Sequence, residues 1–312
     1  MWQVAVNAFV YVRHFLLTYR CWQKTGRYPN IAVPVSFEEK FLWRKIFDRN
    51  PLFPQVSDKL LAKQFAASRL PDVPIPRTLW VGVDFNDIPE KLLKGPAVLK
   101  SNHASGQFYF LRGQPVDRAK LKAMTDNWLA RPYGQGNGEW AYRDIDRKIF
   151  VEELVTGVNG EPLEDYNVYV MNGVVRHTQC LRQSHGPNPT NTRYDRDGFR
   201  FEAQYSPTFV YEAKDPPVEY PEIVKMAERL GAGFDHIRCD FYLCGSIIYF
   251  CEMTVYAMAG FPYAEGRLRG VWESSWNIRH SWFLTTPQSG WRGIYAKNLR
   301  SLFDEDRNQS SA

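Results

Sequence analysis

The sequence predicts an α+β chain, on three observations. Before Pro71, apolar residues recur at helical spacing between capping signals. From Pro96 onward, short β-branched and aromatic runs separated by Gly, Asn and Ser take over. Two pairs of these runs flank tight-turn signals, Asn172-Gly173 and Cys244-Gly245-Ser246. With 312 residues there is room for two domains or one large composite. A hydrophobic share of 44% and a charged share of 23% exclude a disordered, collagen-like or coiled-coil chain. The 39 basic against 34 acidic residues leave a net charge of only +5, too diffuse to argue for a nucleic-acid partner. Aromatics at 15% suit a ring-binding cleft, although a heavy aromatic core is the commoner explanation.

Five cysteines with no C-x-x-C pair argue against a disulfide framework and fit a reducing cytosol, so a cytoplasmic location is expected. Met1 to Trp22 is broadly apolar, but Arg13, His14 and Arg20 fall where a membrane-spanning helix must be apolar, and no small-residue cleavage site follows. One reading is a helix packed on the domain, preferred because the apolar arc is not cleanly segregated. The other is an interfacial helix on the inner membrane face, helped by its basic residues.

Tyr28 to Val35 reads as a connector. Ser36 starts a helix whose first turn carries Glu38 and Glu39 and whose buried side is Phe41, Leu42, Trp43, Ile46 and Phe47; Asn50-Pro51 stops it. Ser57 is expected to cap a second helix, Asp58 to Ser68, ending before Pro71. Thr78 to Val83 reads as a strand, Ala97 to Lys100 as another, Ser101 to Gly106 as a small-residue loop, and Phe108 to Leu111 as a third strand. Asp117 to Leu129 has helical spacing, and Lys148 to Leu154 is a strand entering a turn. Val168–Met171 and Val174–Leu181 form a hairpin. Ser184 to Pro217 is polar and reads as a long loop over a cleft. Pro221 to Leu230 is a helix; Ile237–Leu243 and Ile247–Tyr256 make the last hairpin; the tail after Asp304 reads as loose.

The last hairpin is the most informative. Strand alternation puts Arg238, Asp240 and Tyr242 on one face, and Glu252 and Thr254 on one face of the return strand. Folding at the turn brings Asp240 close to Glu252. Two such carboxylates repel unless a cation lies between them, and oxygen ligands of this type suit Mg²⁺ completed by phosphates. The plainer alternative is a surface carboxylate ion-paired with Arg238. A second constellation, Lys100-Ser101-Asn102-His103-Ala104-Ser105-Gly106, is a strand end and loop whose N–H groups can drape over phosphates, with Lys100 supplying charge. It lacks the Gly-Lys-Ser/Thr of a P-loop, and the role of His103 stays open. A third, Glu152-Glu153-Leu154-Val155, can offer backbone groups to an adenine edge while one carboxylate accepts from a ribose hydroxyl; a solvated acidic edge is the alternative. Glu152 and Glu153 point to opposite faces and cannot do the same job.

In order, these pieces resemble the ATP-grasp superfamily, and the Arg238–Thr254 hairpin is similar to the metal-binding end of the D-alanine–D-alanine ligases. The chain more closely resembles the TupA-like branch, named for a teichuronopeptide biosynthesis protein, over Phe37 to Gly266. The strings that carry this include Phe37-Glu38-Glu39-Lys40, Asp48-Arg49-Asn50-Pro51, Ser57-Asp58-Lys59, Leu99-Lys100-Ser101-Asn102-His103, Glu139-Trp140-Ala141-Tyr142, Glu152-Glu153 and Asp165-Tyr166. Departures are Ala104 for a usual glycine in the lid loop, Asn167 for a lysine after Asp-Tyr, Cys251 for a common glycine and Thr254 for asparagine.

The resemblance implies an ATP-grasp fold with the nucleotide between a lid sheet and a C-terminal sheet. The segments expected are an N-terminal helix and connector (1–35), an N-terminal subdomain (36–95), a lid (96–155), a C-terminal subdomain (156–303) and a tail (304–312). It implies ATP and Mg²⁺ as cofactors, the metal held by Asp240, Glu252 and Thr254. Lys100, Arg238 and Lys59 would be the catalytic cations. The nucleotide would be held by the 100–106 loop, by Glu152 to Val155 and by Asp165. The activity implied is carboxylate–amine ligation in cell-surface polysaccharide biosynthesis, joining an amine or amino acid to the uronic-acid carboxylate of an acidic glycan or its precursor. The Arg-rich Ser184–Tyr211 region would receive the glycan. The alternatives are a sugar kinase using the same site and a non-catalytic ATP-binding subunit of a polysaccharide assembly complex.

Overall fold

A computed structural model describes residues 1–158, 163–184, 186–203, 209–261 and 266–310, with side chains described to 305. The N-terminal helices are α1 (Trp2–Arg13) and α2 (Phe15–Thr25), followed by α3 (Phe37–Ile46), α4 (Leu52–Ser57) and α5 (Lys59–Arg69). Where one N-terminal helix is expected, the chain breaks at His14 (φ −124°, ψ 35°), which lets Val6 and Val10 on one side and Thr18 and Cys21 on the other all be buried. Ser36 caps α3 in a reciprocal capping box with Glu39. The next cap is displaced by one residue from the expected Ser57: the Asp58 carboxylate accepts from the amides of Leu60 at 2.9 Å and Leu61 at 3.4 Å, so α5 begins at Lys59. The short helix α4 fills the stretch just before it.

The first sheet follows. Its strands are β1 (Thr78–Gly82), then, after α6 (Glu90–Leu93), β2 (Ala97–Ser101) and β3 (Phe108–Leu111), and, after α7 (Arg118–Ala130), β4 (Ile149–Glu153). They pair antiparallel in the order β1-β4-β2-β3. A small core of Leu99, Leu111, Leu121, Trp128, Ile149 and Val151 glues α7 to this sheet.

The second sheet holds β5 (Glu164–Met171), β6 (Val174–Arg182), β7 (Thr190–Tyr194) and β8 (Val210–Tyr211). After α8 (Tyr220–Gly231) it adds β9 (His236–Cys244) and β10 (Ile247–Thr254). The order is β10-β9-β5-β6-β7-β8, antiparallel except for β7 with β8. The β5–β6 turn has positive φ at Asn172 (52°) and Gly173 (78°), the primed geometry that Asn-Gly supplies. Both β7 and β8 lie inside the segment expected as loop; residues 185 and 204–208 of it lie outside the described residues. That ladder is built from buried polar side chains, Asn191, Thr192 and Arg193, which hide it from any hydropathy pattern.

The C-terminal helices α9 (Gly266–Ser275), α10 (Trp282–Thr285) and α11 (Gly290–Ser310) close the large core around Phe37, Trp43, Trp272 and Trp276. Thus the expected aromatic core exists, and α11 continues helical through Ser310, past the expected start of a loose tail; 311–312 lie outside the described residues. All five cysteines are unpaired, three of them buried.

Candidate active site

The two sheets form opposite walls of a cleft of about 930 Å³, with Lys59 at the start of α5 on its edge. One wall carries Val98, Lys100, Phe108 and Glu152; the other carries Asp165, Arg238, Asp240 and Glu252. The strand exit Glu153-Leu154-Val155 also lines it.

Residues opposite each other on antiparallel strands share a face, and β9 and β10 pair Asp240 with Glu252 and Arg238 with Thr254. The pairing shifts between Phe250 and Glu252, a bulge that leaves Cys251 the extra residue, so Cys251 and Glu252 both reach the cleft. On the next strand, β5, Asn167 lies opposite Asp240 and Asp165 opposite Tyr242. Three carboxyls therefore converge. Arg238 forks onto Asp240 at 2.7 and 2.6 Å and reaches Glu252 at 3.4 Å, while Lys59 Nζ donates to Glu252 Oε2 at 2.7 Å.

The three acids ionise differently. Burial opposes ionisation of Glu252, but Lys59 and Arg238 outweigh it and bring its pKa down to about 2. Burial lifts Asp240 to about 6 even against the Arg238 guanidinium. Asp165 is pushed up to about 8 by burial and by the neighbouring Asp240, and it accepts a hydrogen bond from Asn167 Nδ2 at 3.0 Å. Carboxylate oxygens of this kind fit Mg²⁺. Among the described residues no group of three His, Cys, Asp or Glu side chains is placed to hold a metal ion. Asp240 and Glu252 are the pair that would hold it, with Arg238 giving up part of its fork. Thr254, although opposite Arg238, is not among the residues that line the cleft.

Lys100 is held by Glu152, which also takes Lys63 Nζ at 2.8 Å. Burial works against the Lys100 ammonium, but the Glu152 charge wins and its pKa is raised. Glu152 thus holds two lysines, one on each carboxylate oxygen. Glu153, on the opposite face, accepts from Arg77 Nε at 2.7 Å and from its amide at 2.9 Å. Lys63 escaped the sequence reading, although it follows Lys59 by one helical turn on the same face of α5.

The loop after Lys100 divides in two. Ser105 and Gly106 line the cleft, Gly106 at φ 74° with open space around it. Ser101, Asn102, His103 and Ala104 are buried and lie outside the cleft wall. Asn102 is a structural clasp: its Nδ2 donates to Asp58 Oδ2 and to the Asp146 carbonyl at 3.0 Å each, its Oδ1 accepts from the Lys148 amide at 2.8 Å, and its carbonyl accepts from the Lys59 amide at 2.8 Å. His103 Nε2 lies 3.1 Å from the Trp128 carbonyl, and burial lowers its pKa to about 4, which removes it as a general base near neutral pH. Ala104 needs no left-handed backbone, so the departure from glycine there carries no strain.

The arginines of the segment expected to receive an acidic glycan are engaged internally. Arg193 donates to the Ala203 carbonyl at 3.0 Å, Arg196 to Glu228 at 2.8 Å, and Arg200 sits 3.4 Å from Asp215. Gln183, Ser184, Gly186 and Pro187, at the start of the segment, do line the cleft.

A family model described as TupA-like ATPgrasp matches residues 39–267. The chain belongs to the TupA-like ATP-grasp family. This TupA-like protein has the ATP-grasp arrangement of two sheets around one cleft, and ATP-grasp enzymes use ATP with Mg²⁺. Solved structures it is similar to include D-alanine–D-alanine ligase from Bacillus anthracis complexed with ATP (15% identity, TM-score 0.38, 64% of this chain and 55% of that one). Another is the ATP-grasp ligase PsnB with a phosphomimetic variant of its minimal precursor, Mg and ADP (13%, 0.39, 80% and 60%). A third is D-alanine–D-alanine ligase from Helicobacter pylori (12%, 0.46, 78% and 70%). The TupA-like chain thus spans 55% of the length of the first and 60% of the second. No curated protein matches it.

Proposed function

We propose that this ATP-grasp enzyme joins a carboxylate to an amine at the expense of ATP. One observation carries the reading: Asp240 and Glu252, with Lys59, Arg238 and Lys100 around them, meet in a single cleft between two sheets. Mg·ATP supplies a γ-phosphoryl group that converts the carboxylate to an acyl phosphate, with loss of ADP, and the amine then displaces phosphate. The chain's own part is positioning and charge. Lys100, fixed by Glu152, presents a cation from the lid sheet; Lys59 presents one from α5. Arg238, whose fork spans both acids, orients the carboxylate and steadies charge as it moves to phosphate oxygens. Apolar Val98, Leu154 and Val155 suit the adenine, and Asp240 with Glu252 would hold the metal.

The substrate class we propose is a uronic-acid carboxylate of a glycan or glycan precursor, with an amino acid or amine as partner, in cell-surface polysaccharide synthesis. Its entry is the side of the cleft lined by Gln183, Ser184, Gly186, Pro187 and Arg112 rather than the internally paired arginines further along. The cytoplasm, where ATP is supplied, is the proposed site of reaction. Among the described residues no helix is long and apolar enough to cross a membrane.

The test is ATP consumption by the purified protein with uronate plus amine, with either alone, and with neutral sugar. ADP and phosphate release that needs both uronate and amine, with an amide product, is the expected result. Phosphorylated sugar without amine would establish the kinase instead. Nucleotide binding with no turnover across these substrates, unchanged in Asp240→Asn, would establish a non-catalytic subunit.

A further inference from the structure

The helical hairpin α1–α2 is fastened to the body by one face and leaves the other in water. Its inner face buries Val6, Val10 and Cys21, and Asn7 Oδ1 accepts from the amides of Ile31 and Ala32 at 2.9 Å each. The outer face of α1 presents Val4, Ala5, Ala8, Phe9 and Val12, all exposed, Val12 to 84%. These recur at helical spacing and form one stripe, and the only exposed polar side chains on α1 are Gln3 and Arg13. On α2 the stripe continues as Phe15, Leu16, Tyr19 and Trp22, with the Phe15–Tyr19 and Tyr19–Trp22 rings stacked at 5.7 and 5.5 Å. From α11, Trp291 packs on Phe9 at 4.8 Å and Ile294 is 66% exposed beside it, so three helices share a contiguous apolar surface. Soluble surfaces rarely leave a patch of this kind uncovered.

Charge identifies the cover. The first acidic residue in the sequence is Glu38, while Arg13, Arg20, Lys24 and Arg27 are exposed on this hairpin and Lys297 on α11. A symmetric contact with a second copy would press this basic rim against itself. An anionic surface accepts both the apolar stripe and the rim. Aromatic side chains with one polar edge, such as Tyr19 and Trp22, suit the headgroup level. We propose that α1, α2 and the exposed side of α11 form a peripheral docking face for a membrane surface carrying anionic phospholipid, the helices lying in the interface and not crossing it.

Cosedimentation of the whole chain with vesicles of phosphatidylcholine alone, and with vesicles enriched in phosphatidylglycerol, tests this. Expected is binding at least ~10-fold tighter to the anionic vesicles, weakened by added salt. The double change Val12→Asp with Leu16→Asp abolishes it, and Arg20→Glu with Lys24→Glu reduces it, with ATP turnover unchanged in both. Failure to sediment with anionic vesicles overturns the proposal, as does binding that survives Val12→Asp with Leu16→Asp. A dimer in light scattering that this same variant dissolves also overturns it, assigning the face to a second copy. The readout is lipid binding, so it stands or falls separately from the ligase reading.

Discussion

Lys59 Nζ lies 2.7 Å from Glu252 Oε2, although the two residues are 193 positions apart. The pair joins the first turn of α5 to the bulged strand β10 at the edge of the cleft. In the proposed reaction the ammonium would turn to phosphate and the carboxylate to the metal.

Glu252→Gln and Asp240→Asn should each abolish Mg²⁺-dependent ATP binding in calorimetry while circular dichroism is unchanged. Lys59→Met should leave the fold intact and lower turnover by about 10²-fold, the typical cost of one lost charge stabiliser. Nucleotide uptake by Glu252→Gln at wild-type affinity would remove Glu252 from the site.

Glu152→Gln should destabilise the protein and weaken nucleotide binding together. The change leaves Lys100 and Lys63 as neighbouring, partly buried cations without their shared carboxylate, a loss of up to ~3 kcal/mol, the lower end of what breaking a buried ion pair costs. Urea melts measure the first effect and calorimetry the second. The double variant Glu152→Gln with Lys63→Met should recover part of the stability, since it removes the orphaned charge.

Buried His103 sets an acid limit. Its folded pKa, about 4, is below its ordinary 6.5, so the unfolded chain binds the extra proton. Its contribution is therefore fully present above pH 6.5 and is lost as pH falls through that window to 4. The loss is on the order of 3 kcal/mol. His103→Gln should flatten the fall in urea midpoint over this range; an unchanged slope would show that His103 does not set it.

Glu139 acts in the opposite sense. Burial raises it to about 7, with Lys45 opposing only in part. The folded state holds its proton longer than the unfolded chain, so stability is greatest below pH 4.5 and declines as pH rises through 7. Glu139→Gln should match wild type near pH 4.5 and exceed it at pH 8 by roughly 3 kcal/mol in denaturant melts.

Much of the site's geometry could be read before the structure because it depends on local rules. The last hairpin and its acids could be located from alternation and the turn, and the end of β2 suffices to present Lys100; the turn register alone would set Cys251 opposite Asp240, and it is the bulge that puts Glu252 there. Other parts depend on partners that no local pattern names. Asn102 and His103 have the polarity of ligand contacts, yet their hydrogen bonds go to Asp58, Asp146, Lys148 and Trp128. Strand β7 is concealed because Asn191, Thr192 and Arg193 fill a ladder where apolar residues are the usual sign. The displaced reach of Cys251 arises from a bulge, which alternation cannot foresee.

The clasp of Asn102 on Asp58, Asp146 and Lys148 has a mechanical consequence. It rivets the base of the lid strand to the N-terminus of α5, which is itself seated against β10. A rigid flap swinging open from that side would have to tear the rivet. If the proposed reaction holds, closing over the nucleotide phosphates would fall to the tip at Ser105 and Gly106, which lines the cleft beyond the rivet.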